Sequence, residues 1–256
     1  EANNQKYDFA VSWVDCFSSN ENIGRGITKQ ATWLKKEKNL EIDQLKKTLK
    51  KSKKIFNLIP SYPTWELISP FVNRQSFKII NKIYFNYSKL FTFGNSKIQL
   101  FSSYNFMHNQ IPNIKNIFKP KGFVEIQPLL PKKNIIQNLK DILKLSQKFN
   151  SESLIAGLKL HKKDDYILSY ADDGYSIGID LNLNNRSLQD LEIFSDELFS
   201  LICEQNGKVY LAKDQLLKRK YFTKMYKNYS KIISFKKKFD ANNLFQSDLY
   251  KRLFIE

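Results

Sequence analysis

Between Gly122 and Lys213 the apolar residues change period from two to about 3.6 and back to two, and then do so again, which few chain topologies satisfy. Phe123 to Leu130 alternates as a strand, and Asn134 to Phe149 places Ile135, Ile136, Leu139, Ile142, Leu143 and Leu145 at helical spacing. Ser153 to Leu160 is again strand-like. Tyr175 to Leu183 (YSIGIDLNL) alternates, Ser187 stands where it can cap a helix carrying Leu188, Leu191, Leu198, Leu201 and Ile202, and Gly207 opens a strand from Lys208 to Ala212. The order β-α-β-β-α-β predicts an α+β fold of the split βαβ, ferredoxin-like kind: a mostly antiparallel sheet with both helices on one face. Such a fold hosts many functions and names none.

The flanking segments are less regular. Tyr7 to Val14 reads as a strand with one buried face, residues 20–26 (NENIGRG) as a turn, and Ile27 to Leu34 as a returning strand. The lysine-rich stretch from Lys35 to Lys54 reads as a solvated helix or excursion. Phe71 to Leu90 predicts one amphipathic helix whose stripe of Phe77, Ile80, Ile83, Tyr84 and Tyr87 is expected to be core. Residues 97–106 look strand-like, and 109–119 an irregular connection. Asp214 is placed to cap a helix through Tyr226, and a last helix near Gln246 to Leu253 completes a C-terminal helical tail.

Composition narrows the chemistry. Cys16 and Cys203 are the only cysteines and lack paired neighbours, so they are expected to be unreacted buried thiols; His108 and His161 are the only histidines, too few for a multi-histidine metal site. No glycine-rich dinucleotide or phosphate loop occurs. The net charge of +17 invites a nucleic-acid or membrane partner, but only five of the 42 basic residues are arginine, the side chain that forks onto phosphate. A basic module on a membrane surface or nucleic acid is therefore the alternative function, with nucleic acid the less favoured partner. No run of about 18 apolar residues is present to span a bilayer.

Several segments, in order, carry a family resemblance. They are YDFAVSWVDCFSSNENIGRG (7–26), KGFVEIQPLLPK (121–132), GLKLHKKDDYILSYADDGYSIGIDLNL (157–183), NGKVYLAKDQ (206–215) and the closing KKKFDANNLFQSDLYKRL (236–253). Together they resemble the later part of FAD-linked oxidases of the vanillyl-alcohol-oxidase type, on the branch that oxidises sugars and polyprenyl-phosphate sugars of the cell envelope. The resemblance implies that residues 1–206 form the substrate-binding cap and 207–256 a segment that rejoins an N-terminal FAD-binding domain, the expected partner, lying outside this sequence. The parent would be an FAD-dependent oxidoreductase acting on a secondary alcohol, or within the same class a sugar-lactone oxidase, while this chain alone is expected to be inactive and to bind no FAD. The implied location is cytoplasmic or peripheral to the inner membrane.

By the same resemblance, Lys213 reaches the flavin's pyrimidine edge and is the catalytic and cofactor-binding residue, Gln127 and Lys159 line the sugar pocket, and Ser176, Gly178 and Asp180 lie on the facing strand. Each has a plainer alternative: Gln127 and Lys159 as solvated strand residues, Asp180 as a polar partner within the sheet, Lys213 as a strand-end lysine sharing a face with Val209 and Leu211. The sequence also departs from the family. Asn105, with Tyr104 beside it as the candidate pocket residue, stands where the relatives carry a tyrosine, Gly178 stands where mycobacterial members carry a reactive cysteine, and Asp240-Ala241 where proline is usual. These departures bear on the substrate rather than the flavin edge.

Overall fold

The computed structural model describes residues 7–34, 54–55, 59–105, 113–184 and 186–255. They form two compact units: one holds the residues up to Phe9 and Gln30–Gly122, the other Ala10–Lys29 and the residues from Phe123 onward. The chain opens with β1 (Phe9–Val14), a 3-10 turn at Asn20–Asn22 and β2 (Gly26–Ala31).

In the first unit a short antiparallel ladder, β3 (Lys54–Ile55) with β4 (Ile59–Pro60), precedes α1 (Ser61–Ile68), α2 (Arg74–Phe91) and α3 (Phe101–Asn105). The Asn73 side chain starts α2 by accepting from the N–H groups of Gln75 and Ser76 at 3.0 and 3.1 Å. The helix expected over 71–90 is thus present, but its orientation is not the expected one. Asn81 and Ser88 are its buried residues, whereas Ile80, Ile83 and Tyr87 of the apolar stripe are exposed. Residues 97–106 depart from the strand reading as well. Phe101 and Tyr104 both approach Phe9, with ring centroids 5.2 and 6.2 Å away, and a helical turn puts such an i, i+3 pair on one side where a strand would part it. The lysine-rich 35–53 stretch lies outside the described residues.

The second unit is the sequence pattern made solid. β5 (Phe123–Ile126) and β6 (Pro128–Pro131) lead into α4 (Ile135–Lys148); β7 (Ala156–His161), β8 (Gly174–Ile177) and β9 (Ile179–Asn182) follow, then α5 (Leu188–Glu204) and β10 (Lys208–Val209). The main sheet runs β10-β6-β8-β7-β1-β2. Its first four strands are the four of the repeat in the order fourth, first, third, second, and each neighbouring pair among them is antiparallel. This is the split βαβ arrangement, extended by β1, which pairs antiparallel with β7.

Two of the expected strands are interrupted. Phe123–Leu130 breaks at Gln127 and Tyr175–Leu183 at Gly178, leaving β5–β9 as a separate ladder that continues the β6–β8 register, Ile126 facing Ile179 and Leu129 facing Ser176. Pro128, which has no N–H to give, sits at the break.

One side of the sheet is covered by helices. α4 packs on β6 and α5 on β10, with Leu130, Ile177, Val209, Ile142, Phe194, Leu198 and Ile202 essentially inaccessible between them. A Cβ on Gly207 would stand 2.7 Å from the Leu129 carbonyl oxygen and 2.9 Å from Ile202, so glycine lets β10 slot between α5 and β6. α5 starts in a full capping box: Ser187 accepts from the Asp190 N–H, and Asp190 accepts from the Ser187 N–H.

The tail is α6 (Arg219–Met225), α7 (Tyr229–Phe239) and α8 (Asp248–Tyr250), which runs into a wide turn at Lys251–Ile255. Asp214 does cap, but it caps a turn, accepting from Leu216 and Leu217 N–H, and the helix starts only at Arg219. Arg252 returns to the buried Asp214 carboxylate at 2.9 Å, and Phe222 meets the rings of Tyr226 and Phe254 at 5.4 and 4.9 Å.

Candidate functional site

In an antiparallel ladder, facing residues project to the same side and alternate residues to opposite sides. Leu130 and Val209 face the helices, so Leu129 and the residues in step with it face away. Ser176 lies opposite Leu129 and Lys159 opposite Ser176, while in the continuing ladder Asp180 lies opposite Glu125. Gln127, two residues from both Glu125 and Leu129, completes the set. The structure therefore brings Gln127, Lys159, Ser176 and Asp180 onto one side of the sheet, the side without α4 and α5.

Polar side chains on that side are bonded into a compact cluster. Gln127, 4% exposed, donates from Nε2 to Tyr170 Oη at 2.7 Å and to Ser176 Oγ at 3.1 Å. His161 Nε2 lies 2.8 Å from Ser176 Oγ and 3.1 Å from Tyr170 Oη. Tyr170 is delivered by the loop between β7 and β8, which is folded by Asp164 accepting from Tyr166 N–H and Ser169 Oγ. Its ring packs edge-on to His161 at 5.2 Å and tilted against Tyr210 at 4.6 Å. Burial, helped by the charge on Lys159, holds the His161 imidazole below its ordinary pKa, while burial raises that of the Tyr170 phenol against the opposing hydrogen bonds from Ser176 and Gln127. Both groups are consequently neutral near pH 7. Tyr170 Oη and Ser176 Oγ each accept a hydrogen bond from the Gln127 amide, and either one at a time can donate to the single lone pair of an unprotonated His161 Nε2. Lys159 is exposed beside this cluster.

Lys213 is not on a strand. β10 ends at Val209, and a turn closed by Lys213 N–H to Tyr210 O (3.2 Å) and Asp214 N–H to Leu211 O (3.3 Å) redirects the chain. The expected face shared with Val209 and Leu211 is replaced by an ion pair: Lys213 Nζ donates to Glu125 Oε1 at 2.6 Å, with the side chains 36% and 22% exposed. Because Glu125 is on the Gln127 side of the sheet, the turn has carried Lys213 to the edge of the polar face. Gly178 adjoins the same pair, a Cβ there standing 3.0 Å from Glu125 Oε1.

Tyr104 belongs to the first unit, where it is buried in the cluster around Phe9, and is not one of these residues. Reading the sequence missed Glu125, His161, Tyr170 and Tyr210. Strand alternation contained the signal for two of them, since Glu125 precedes Gln127 and His161 follows Lys159 by two. No local pattern announces Tyr170, which reaches the sheet from a loop. Among the described residues no group of three His, Cys, Asp or Glu side chains is placed to hold a metal ion. Cys16 is buried, with its thiol pushed upward by desolvation and by Asp15, and Cys203 is half-buried; both are free.

Fold and face together define a class: an α+β unit that buries one side of its sheet under helices and turns hydrogen-bonding groups and a lysine toward the other. No family model matches the chain. It is 24% identical over 250 residues to the decaprenylphosphoryl-beta-D-ribose oxidase of Mycolicibacterium smegmatis, an alignment that takes in 96% of this chain and 51% of that protein. The chain thus spans about half the length of that protein, and it is a partial match to an oxidase.

Proposed function

We propose that this chain is the substrate-binding cap and C-terminal segment of an FAD-dependent oxidoreductase that oxidises a secondary alcohol of a sugar or polyprenyl-phosphate sugar. The observation that carries the reading is the similarity to a decaprenylphosphoryl-ribose oxidase along 96% of the chain. The geometry supports it in that Gln127, Lys159, Ser176 and Asp180 lie on one side of the sheet, with Lys213 at its edge. The flavin would be held mainly by a domain beyond these 256 residues.

The residues present suit an FAD edge. Lys213 is half-exposed and, among the described residues, donates to Glu125 alone, so its ammonium retains two protons for the flavin's pyrimidine oxygen and nitrogen. Bound flavin supplies the hydride-accepting chemistry. This chain's own part is to orient and to neutralise: Gln127 and Ser176 offer an amide and a hydroxyl to the sugar's hydroxyls, His161 Nε2 is available as a proton acceptor behind Ser176, and Lys213 sets a positive charge where negative charge develops. Glu125 holds that lysine in place and tempers its charge.

The reading is tested by tagging the chain in its native source, purifying it gently and recording the visible spectrum before and after anaerobic addition of a polyprenyl-phosphate pentose. The expected result is a stoichiometric flavin band that bleaches with the substrate. A colourless protein with no flavoprotein accompanying it contradicts the proposal.

A further inference from the structure

Helix α2 is inside out for a helix of a globular unit. Such helices turn their apolar arc to the core and their polar arc to water. Here the residues taken inward are Asn81 and Ser88, 4% and 5% exposed, while Ile79, Ile80, Ile83, Tyr87, Leu90 and Phe91 stand 50–74% exposed. At 3.6 residues per turn these six fall within one continuous arc of roughly 120°. Outside the helix, Leu67 and Phe71 before it and Phe93 after it are likewise 70%, 69% and 87% exposed. Contiguous exposed apolar surface of this kind marks an interaction site.

The charge on the helix indicates the partner. Arg74–Phe91 contains Arg74, Lys78, Lys82 and Lys89 and no acidic residue, in a chain of net charge +17. Lys78, Lys82 and Lys89 are all exposed, on the arc roughly opposite the apolar one. An apolar arc of aromatic and aliphatic side chains backed by a polar arc whose charged residues are all basic is the pattern of a helix that lies in the plane of a bilayer surface. A protein partner would take the apolar arc as readily, but the uniformly positive charge of the polar arc adds nothing to that contact, whereas anionic headgroups surrounding a half-sunk helix meet it. The helix does not cross the membrane: no described helix is long and apolar enough to do so.

We infer that α2 is an interfacial helix by which this chain binds the surface of an anionic phospholipid bilayer, Ile80, Ile83, Tyr87 and Phe91 entering the acyl boundary. The inference stands on the first unit alone and is independent of the flavin reading, so either can fail without the other.

The test is vesicle flotation of the full chain with phosphatidylcholine alone and with an equimolar mixture of phosphatidylcholine and phosphatidylglycerol. The chain is expected to float with the mixed vesicles, less so as salt is raised, and poorly with the neutral ones. Ile83→Glu and Tyr87→Glu, both at exposed positions, are each expected to weaken partitioning about tenfold or more while leaving the circular dichroism and thermal unfolding of the chain unchanged. Failure to float with mixed vesicles overturns the inference, as does a variant that floats like the parent. So does a concentration-dependent dimer in light scattering that Ile83→Glu abolishes, since the arc would then be filled by a second copy.

Discussion

Lys213 and Glu125 are 2.6 Å apart and each is partly shielded, so the lysine is held in the chain before any partner arrives. A lysine stranded on the strand face of Val209 and Leu211 would make Lys213→Met neutral or stabilising. With Glu125 as its partner, the substitution instead is expected to cost up to about 1 kcal/mol, and the double variant with Glu125→Gln to recover most of it. Urea titrations of the two single variants and the double variant measure this. Gly178 is the hinge of the same argument: Gly178→Ala meets only the flexible end of Glu125, so a loss below about 1 kcal/mol is expected, with a loosened ion pair that the same titrations detect as reduced coupling between Glu125 and Lys213. His161 adds a pH dependence. Its folded pKa is depressed from an ordinary 6.5, so the unfolded chain binds the proton more readily. Its contribution is complete above pH 6.5 and is lost as pH falls from there through the folded value. His161→Gln should remove that part of the slope in stability measured from pH 7 downward, and an identical slope in the variant would exclude the assignment. Of the polar face, Gln127, Lys159, Ser176 and Asp180 are named by the resemblance, and the strand register adds that they share one side of the sheet. Tyr170 was not legible, because a loop's landing place is set by tertiary packing.

At the scale of elements, the two helices of the repeat were read within a residue or two because their apolar period and, for α5, the Ser187 cap point the same way. That cap is testable: Ser187→Ala removes an acceptor from the first turn of a helix that buries Phe194, Leu198 and Ile202, and should lower the stability of the chain by about 1 kcal/mol in thermal or urea unfolding. α2 shows the limit of such reading. Periodicity states which residues share a side of a helix and is silent on whether that side meets core or surroundings, so Ile80, Ile83 and Tyr87 were assigned inward when Asn81 and Ser88 are. Residues 101–105 show another, since five residues carry too little pattern to separate a turn of helix from a strand. The shortening of β10 to Lys208–Val209 moved Lys213 from a strand to a turn, and thereby from the helix-covered side to the polar one.

For the molecule as a whole, the strand order of the second unit follows from the β-α-β-β-α-β pattern, whereas the break at Gln127 and Gly178 depends on a proline at an interior sheet position and was not anticipated. Part of the tail packs within this chain: Leu217, Phe222 and Leu253 are inaccessible, Tyr226 Oη donates to the Val209 carbonyl oxygen at 2.6 Å, and Arg252 reaches the buried Asp214, whereas Phe239, Leu244 and Phe245 are exposed. α6 and the final turn belong to the core of the second unit. Truncation after Lys218 is therefore expected to lose several kcal/mol, on the scale of about 3–5 for one buried phenylalanine, and to yield an insoluble or unfolded chain. On the proposed reading, the polar face orients a sugar and its edge lysine neutralises the flavin as it is reduced. Rapid mixing of a polyprenyl-phosphate pentose with the flavin-loaded whole protein, as the parent and as Lys213→Met, tests it most directly. Flavin reduction in the variant is expected to slow by about two to three orders of magnitude with substrate affinity little changed. An unchanged reduction rate in the variant would contradict it, leaving Lys213 as the structural partner of Glu125.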